Sequence, residues 1–262
     1  IIYCLTQRDC KYIANFLNAN GISARPYYSD SNLEAFNEKT GKSFNEETEE
    51  LFYKNKIKVI IATIKLGMGY DKEDIGFVIH FQRPGSLVAY YQQIGRAGRK
   101  PGTEAYCYLM TGSEDRRISE YFIENAFPTE KQEREIITAL EQNSVGLTLS
   151  GLQNHCNISY SALLKTIHML QNNNMIYRDG AKYFRSITPY SYAQSHYDAV
   201  KQSKYQELDE IEKFLSENGC LSKFVLHSLN DETASECGKC SNCTGKEIYP
   251  GITNPSLIGG KE

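Results

Sequence analysis

Two groups of residues could do chemistry. The first is Cys237-Gly238-Lys239-Cys240-Ser241-Asn242-Cys243, with Cys220 upstream across sixteen intervening residues. Thiolates at C-x2-C spacing reach a single ion, and four of them close a tetrahedral structural zinc site. An iron–sulfur cluster uses similar spacing, but no further Cys-Pro follows here. His227 is the alternative fourth ligand to Cys220. The second group is Gln92-Gln93-Ile94-Gly95-Arg96-Ala97-Gly98-Arg99. Two arginines three apart, each after a glycine, share one face if the segment is helical. Small neighbours admit a polyanion, and guanidinium forks match phosphate oxygens. Upstream, Ile60-Ile61-Ala62-Thr63 runs into Lys65-Leu66-Gly67-Met68-Gly69-Tyr70-Asp71, a strand feeding a glycine-rich loop that can offer backbone N–H groups to a ribose or phosphate. Thr40-Gly41-Lys42-Ser43 only mimics the end of a P-loop: Phe36 stands where its first glycine would be, and the segment reads as a solvated loop.

The elements that must position these residues change character along the chain. Residues 1 to about 110 alternate strand and helix signals. Strands are expected at Ile1–Leu5, Ile22–Tyr28, Val59–Ala62, Phe77–Phe81 and Glu104–Met110, and helices at Asp9–Asn20, Asn45–Lys54 and Ser86–Ile94. Strands apolar throughout and separated by helices predict a parallel α/β sheet covered on both faces. Between them, residues 29–55 carry seven acids and three bases. His80 ends one strand, where a structural role and a place at a cleft are equally open.

From about 128 the pattern is three helices, Lys131–Glu141, Thr148–Cys156 and Ser159–Asn172, then two β segments, Met175–Arg178 and Lys182–Ile187, joined through Asp179-Gly180. Three helices and a hairpin predict a winged helix-turn-helix. Residues 160–204 hold six bases against two acids, so this part suits a polyanion. Ser159, Ser161, Lys165 and His168 on the third helix and Arg178, Lys182 and Arg185 on the wing are the candidate DNA contacts. A further helix is expected over 191–218, then the cysteine cluster, then a flexible Gly-, Pro- and Ser-containing tail from Tyr249. The expected domains are 1–127, 128–190, a helical zinc-binding region at 191–248, and the tail 249–262.

With 29 basic and 32 acidic residues the net charge is −3, which excludes a wholly cationic protein but not local nucleic-acid binding. No apolar run approaches the roughly 20 residues of a membrane span. Clustered rather than evenly distributed cysteines point to metal in a reducing compartment, not to a disulfide framework. Cys4, Cys10, Cys107 and Cys156 are expected to be small buried hydrophobes. The abrupt apolar start at Ile1-Ile2-Tyr3 reads as a fragment of a longer protein.

Taken in order, Ile2-Tyr3-Cys4, Ile61-Ala62-Thr63, Gly67-Met68-Gly69-Tyr70-Asp71-Lys72, Val78-Ile79-His80-Phe81 and Tyr90-Tyr91-Gln92-Gln93-Ile94-Gly95-Arg96-Ala97-Gly98-Arg99 resemble motifs IV, V and VI of the RecQ family of superfamily 2 DNA helicases. The likeness covers most of residues 1–110 and resumes at the winged-helix pattern and the cysteines. It implies a second RecA-like lobe whose Arg99 is the arginine finger on the γ-phosphate of ATP, with Arg96 beside it. It further implies that Gln92 couples nucleotide to DNA, and that Thr63, Gly67, Gly69 and Asp71 form the loop joining nucleotide to single-stranded DNA. It implies ATP with Mg, bound mainly by a first lobe that this chain lacks, and zinc on Cys220, Cys237, Cys240 and Cys243. The expected partners are single-stranded and forked DNA and that first lobe, with no membrane partner, in a monomer of the cytoplasm, associated with the nucleoid. The implied activity is 3′-to-5′ unwinding in repair or recombination, with no ATP hydrolysis by this chain alone. The sequence departs from the family in lacking a His after Tyr27-Tyr28, in its long acidic segment 29–55, and in having Lys65-Leu66 before Gly67. A non-catalytic, zinc-stapled winged-helix DNA-binding module is the alternative, and an RNA helicase lobe a third reading.

Overall fold

Strand-forming residues are buried on alternating faces at the centre of the first of two compact units. The computed structural model describes residues 1–29, 40–66 and 71–245. One unit comprises residues 1–115 with the chain from 207 onward, and the other 116–206. These divisions differ from the domain limits expected at 127/128 and 190/191. The tail from 249 and residues 30–39 of the acidic segment lie outside the described residues.

In the first unit five strands, β1 (Ile2–Tyr3), β2 (Ala24–Tyr27), β3 (Val59–Ala62), β4 (Phe77–His80) and β5 (Tyr106–Leu109), form one sheet in the order β2-β3-β1-β4-β5. Every pairing is parallel, with Ile2 opposite both Ile61 and Ile79. The period of two is visible in the cores. Ile1, Tyr3, Ile60, Ala62 and Val78 pack on one face with Phe52, from helix α2 (Phe44–Tyr53). Ile2, Cys4, Val59 and Ile61 pack on the other with Cys10, Ile13 and Ala14, from α1 (Gln7–Ala19). Burying each such aliphatic side chain is worth about 1.5–3 kcal/mol. Ser43, the end of the false P-loop, caps α2: its hydroxyl accepts from the Glu46 amide while Glu46 accepts from the Ser43 amide, so the segment leads into a helix.

Helix α3 (Leu87–Ile94) starts at Ser86, whose hydroxyl accepts from the Ala89 amide. It buries Leu87 and Tyr90 against Ile211, Phe214 and Val225. Those residues come from the end of α8 (Gln194–Leu215) and from α9 (Leu221–Ser228). The short α10 (Ser241–Thr244) follows. Cys4, Cys10 and Cys156 are buried as expected; Cys107, on edge strand β5, is exposed instead, because an edge strand is covered less completely.

The second unit contains α4 (Asp115–Glu124, from its second residue), α5 (Glu130–Glu141), β6 (Leu147–Thr148), α6 (Leu149–His155), α7 (Tyr160–Asn172), β7 (Ile176–Asp179), β8 (Lys182–Arg185) and the first part of α8. The three strands make an antiparallel sheet in the order β6-β8-β7. Ile136, Leu140, Leu152, Leu163, Ile167 and Leu170 form its core. Asp179 pairs with Lys182, so the hairpin turns on Gly180-Ala181, with Gly180 at φ +56°. Gly146, before β6, sits at φ +73°, and a Cβ there would lie 2.5 Å from Phe184; only glycine fits. Among the described residues no helix is long and apolar enough to cross a membrane.

Candidate functional site

The arginine segment does not continue α3. The helix stops at Ile94, Gly95 caps it, and Gly98 turns at φ +70°. Arg96 and Arg99 therefore do not share a helical face, and their environments differ. Arg96 is buried, and its charge acts on the Tyr3 phenol. Arg99 is exposed; its Nη1 donates to Asp71 Oδ1 at 2.6 Å and its Nε to the Gly95 carbonyl at 3.0 Å. The segment is held to the stretch before β4 by the Gly98 amide on the Ile75 carbonyl, 3.0 Å, and the Lys100 amide on the Glu73 carbonyl, 3.2 Å. Ile94 and Ala97 pack against the core face that carries Tyr3.

Of the predicted coupling residues, Gln92 is exposed on α3, whereas its neighbour Gln93 is buried, its Oε1 2.7 Å from His80 Nε2. His80 is 1% exposed and lies between the rings of Tyr3, stacked at 5.6 Å, and Tyr90, at 5.1 Å. Burial lowers its pKa to about 4, so at neutral pH it is an uncharged spacer, the structural role. Thr63 is partly buried where β3 gives way to the loop, and its hydroxyl accepts from the Lys65 amide at 3.4 Å. Gly67 and Gly69 lie outside the described residues, whereas Asp71 is described and meets Arg99.

The four predicted metal ligands converge. Cys220 is buried, Cys237, Cys240 and Cys243 are partly exposed, and their Sγ atoms all lie within 4.8 Å of one another. Tetrahedral zinc with Zn–S bonds of about 2.3 Å needs sulfurs about 3.8 Å apart, which this cluster accommodates. His227 is not in the group. Local sequence builds the cradle. Cys220 caps α9, its sulfur accepting from the Lys223 and Cys237 amides, and Cys237 Sγ accepts from the Lys239 and Cys240 amides. Gly238 turns the knuckle at φ +65°. Burial pushes the Cys237 thiol up, but hydrogen bonds from Ser222 and from the Lys239 and Cys240 amides outweigh it and bring it down to about 6. Cys243, hydrogen-bonded to Cys240, is held up at about 12. Thiols that share protons in this way fit a cation that displaces those protons. Asn242, which the sequence reading passed over, donates Nδ2 to the carbonyls of Glu217, 2.6 Å, and Gly219, 2.9 Å, tying the knuckle to the loop before Cys220.

The candidate DNA contacts of the second unit divide. Ser161 and Arg178 are exposed, Arg178 donating its Nε to the Gly180 carbonyl at 2.9 Å. Lys165 donates to the Asn125 carbonyl, and Lys182 to that of Val145 at 3.1 Å. Arg185 is half-buried and spends its guanidinium on the Met175 and Ser186 carbonyls, 2.7 and 2.9 Å, and on Glu141, 3.2 Å. An open groove of about 530 Å³ beside the β7–β8 hairpin is lined by Thr148, Leu149, Ser150, Gln153, Asn154, Tyr160, Arg178 and Ala181.

Residues 1–101 match the helicase conserved C-terminal domain, and residues 169–244, which include all four cysteines, match the RecQ zinc-binding region. A putative ATP-dependent RNA helicase of Acanthamoeba polyphaga mimivirus is 26% identical over 98% of this chain and 32% of its own length. The ATP-dependent DNA helicase Q-like 5 of Arabidopsis thaliana is 36% identical over 53% of this chain and 16% of its own. The ATP-dependent DNA helicase RecQ of Bacillus subtilis is 31% identical over 52% and 21% respectively. The chain thus spans about a third or less of each of these relatives.

Proposed function

We propose that this chain, whose residues 1–101 match the helicase conserved C-terminal domain and 169–244 the RecQ zinc-binding region, is the C-terminal part of a RecQ-like superfamily 2 helicase and supplies the arginine side of an ATP site in a DNA-unwinding enzyme. The observation that carries the reading is the Arg99–Asp71 pair. Arg99 is ordered but only loosely engaged: both side chains are substantially exposed, 38% and 71%. An exposed pair of this kind is worth about 0–1 kcal/mol. A γ-phosphate, bearing more charge and more acceptor oxygens than Asp71, takes the guanidinium at little cost, and there Arg99 stabilises charge developing in phosphoryl transfer. Arg96, buried behind it, holds the turn and adds positive potential. Mg and the remaining nucleotide contacts belong to a first lobe. Gln92, exposed on α3, faces out as a residue that couples nucleotide to DNA must. Zinc, held by Cys220, Cys237, Cys240 and Cys243, supplies a structural cross-link and no chemistry.

In the second unit the order of helices and strands and the groove beside Arg178 support a winged helix that meets DNA backbone through Ser161, Arg178 and the groove-lining side chains. Lys165, Lys182 and Arg185 contribute positive potential more than free donors. RNA is the second reading of the substrate, favoured by the mimivirus relative that aligns over nearly the whole chain and is named an RNA helicase. The test is ATP hydrolysis and unwinding by a protein that joins this chain to a first helicase lobe. Arg99→Ala is expected to lower turnover by roughly 10³-fold or more, and forked DNA to stimulate hydrolysis more than RNA. An Arg99→Ala enzyme with unchanged turnover would sink the ATP-site reading, leaving the non-catalytic DNA-binding module. Stimulation by RNA alone would move the substrate to RNA.

A further inference from the structure

The stretch 71–75, between the glycine-rich loop and β4, is bonded to two neighbours. To the arginine turn it offers three acceptors. Asp71 Oδ1 takes Arg99 Nη1 at 2.6 Å, the Glu73 carbonyl takes the Lys100 amide at 3.2 Å, and the Ile75 carbonyl takes the Gly98 amide at 3.0 Å. The second neighbour is the end of α2. Ile75 shares a core with Phe52 of that helix. Asn55, just past the helix at φ +56°, donates Nδ2 to Asp74 Oδ2 at 2.9 Å. Asparagine takes this left-handed conformation more readily than other residues with a side chain.

Lys72 completes the contact with α2. Its side chain is only 5% exposed, a rare place for an ammonium group without a partner. The ammonium pairs with Asp74 Oδ1 and stands 5.6 Å from the centre of the Phe52 ring. Asp74 thus divides its oxygens, one for Lys72 and one for Asn55. An ammonium that has given up its water is costly unless paired, so its partners fix where it lies. The ring face adds a further attraction.

We infer that Lys72 is a positioning residue for Arg99: with Asp74, Asn55 and Phe52 it fixes the stretch whose carboxylate and carbonyls hold the arginine turn. Lys72 acts through Asp71 and through the Glu73 and Ile75 carbonyls. The end of α2 belongs to the acidic segment that sets this sequence apart from the RecQ pattern, and it becomes the backing of the arginine side of the site. With the stretch loosened, the three acceptors no longer present one geometry, and Arg99 meets a phosphate from a wider range of positions.

The inference rests on the proposed function only for its catalytic consequence, and the tests separate the two. In the full chain, Lys72→Met keeps a long side chain beside the Phe52 ring and removes the charge. It is expected to speed amide exchange at Gly98 and Lys100 roughly tenfold, as for one lost hydrogen bond to a charged group. Exchange at Ile60, Ile61 and Ala62 in β3 is expected to stay as in wild type. Asn55→Gly keeps the positive φ and removes only an exposed side chain. It is expected to move the same two amides in the same direction by roughly threefold, and it decides the matter where Lys72→Met does not fold. Unchanged exchange at Gly98 and Lys100 in either folded variant would overturn the inference. So would acceleration spread evenly over the sheet, the mark of a general loss of stability. In the protein joined to a first lobe, Lys72→Met is expected to lower kcat about tenfold at unchanged nucleotide KM. A raised KM with unchanged kcat would overturn the positioning role. Arg99→Ala without effect on turnover would instead refute the ATP-site reading, while the exchange results would stand.

Discussion

At the scale of single residues, buried polar groups decide more than their number suggests. Glu133 in α5 is fully buried, its Oε1 accepting from the Tyr197 hydroxyl at 3.0 Å. Burial raises its pKa above the ordinary carboxylate value. The sign follows: the folded state prefers the protonated acid, so the ionised carboxylate destabilises the fold at neutral pH, and that penalty disappears as pH falls through the raised pKa. Glu133→Gln keeps the acceptor and removes the charge. It is expected to be more stable than wild type at pH 7, with the advantage fading toward pH 3; denaturant melts at the two pH values check this. An advantage independent of pH would mean that the charge is not its cause. Asn242 makes the companion case at the metal site. Its two bonds orient the knuckle without touching a sulfur, so Asn242→Ala is expected to weaken zinc binding roughly 10- to 100-fold, read by competition with a chromogenic chelator. An affinity within twofold of wild type would remove Asn242 from the supporting shell.

At the scale of elements, local rules carried the sequence reading and tertiary rules limited it. Parallel strands were legible because Val59-Ile60-Ile61-Ala62 is apolar on both faces, and α3 was legible because Ser86 is a helix cap. The β7–β8 hairpin was legible through Asp179-Gly180, one residue ahead of its Gly180-Ala181 turn, and the cysteine cluster through its spacing, with His227 left open as the alternative to Cys220. The arginine segment misled because GR-x-GR is compatible with a helix until Gly95 and Gly98 are seen to end it. Helices α4 and α9 escaped notice. The first has few apolar residues, of which Tyr121 and Phe122 are exposed, and the second is eight residues long. Pairs such as Arg83 with Glu212, 2.8 Å apart across 129 residues of chain, leave no sequence signal. Gly146 gives the element-level test. Its positive φ and the approach of Phe184 are both incompatible with a methyl group. Gly146→Ala is expected to destabilise the second unit by about 1–3 kcal/mol, measured by thermal or urea unfolding. A neutral effect would show that the turn before β6 can relax without cost.

At the scale of the molecule, the zinc-binding region and the sheet-bearing lobe form one folded body rather than a lobe with an appendage. Val225 of α9, a helix capped by Cys220, packs with Ile211 and Phe214 of α8 onto Leu87 and Tyr90 of α3. Tyr90 reaches in the other direction to His80, and α3 leads directly into Gly95 and Arg96. The buried Arg83, just before α3, pairs with Glu212 of α8 and adds a polar constraint on the same packing. A structural metal holds together segments that are too short to bury a core of their own, so its removal should first release α9 and then the face of α3 beneath it. Chelation of zinc from the full chain is therefore expected to speed amide exchange in 221–228 and in 87–94, while α5 and α7, whose core shares none of these residues, keep their protection. Readdition of zinc should restore the slow exchange. If α9 loosens and α3 does not, the hydrophobic seam carries no constraint from the metal to the arginine turn, and zinc serves only its own knuckle. If both loosen together, the cysteines near the end of the chain and the arginines of its first hundred residues belong to one cooperative unit.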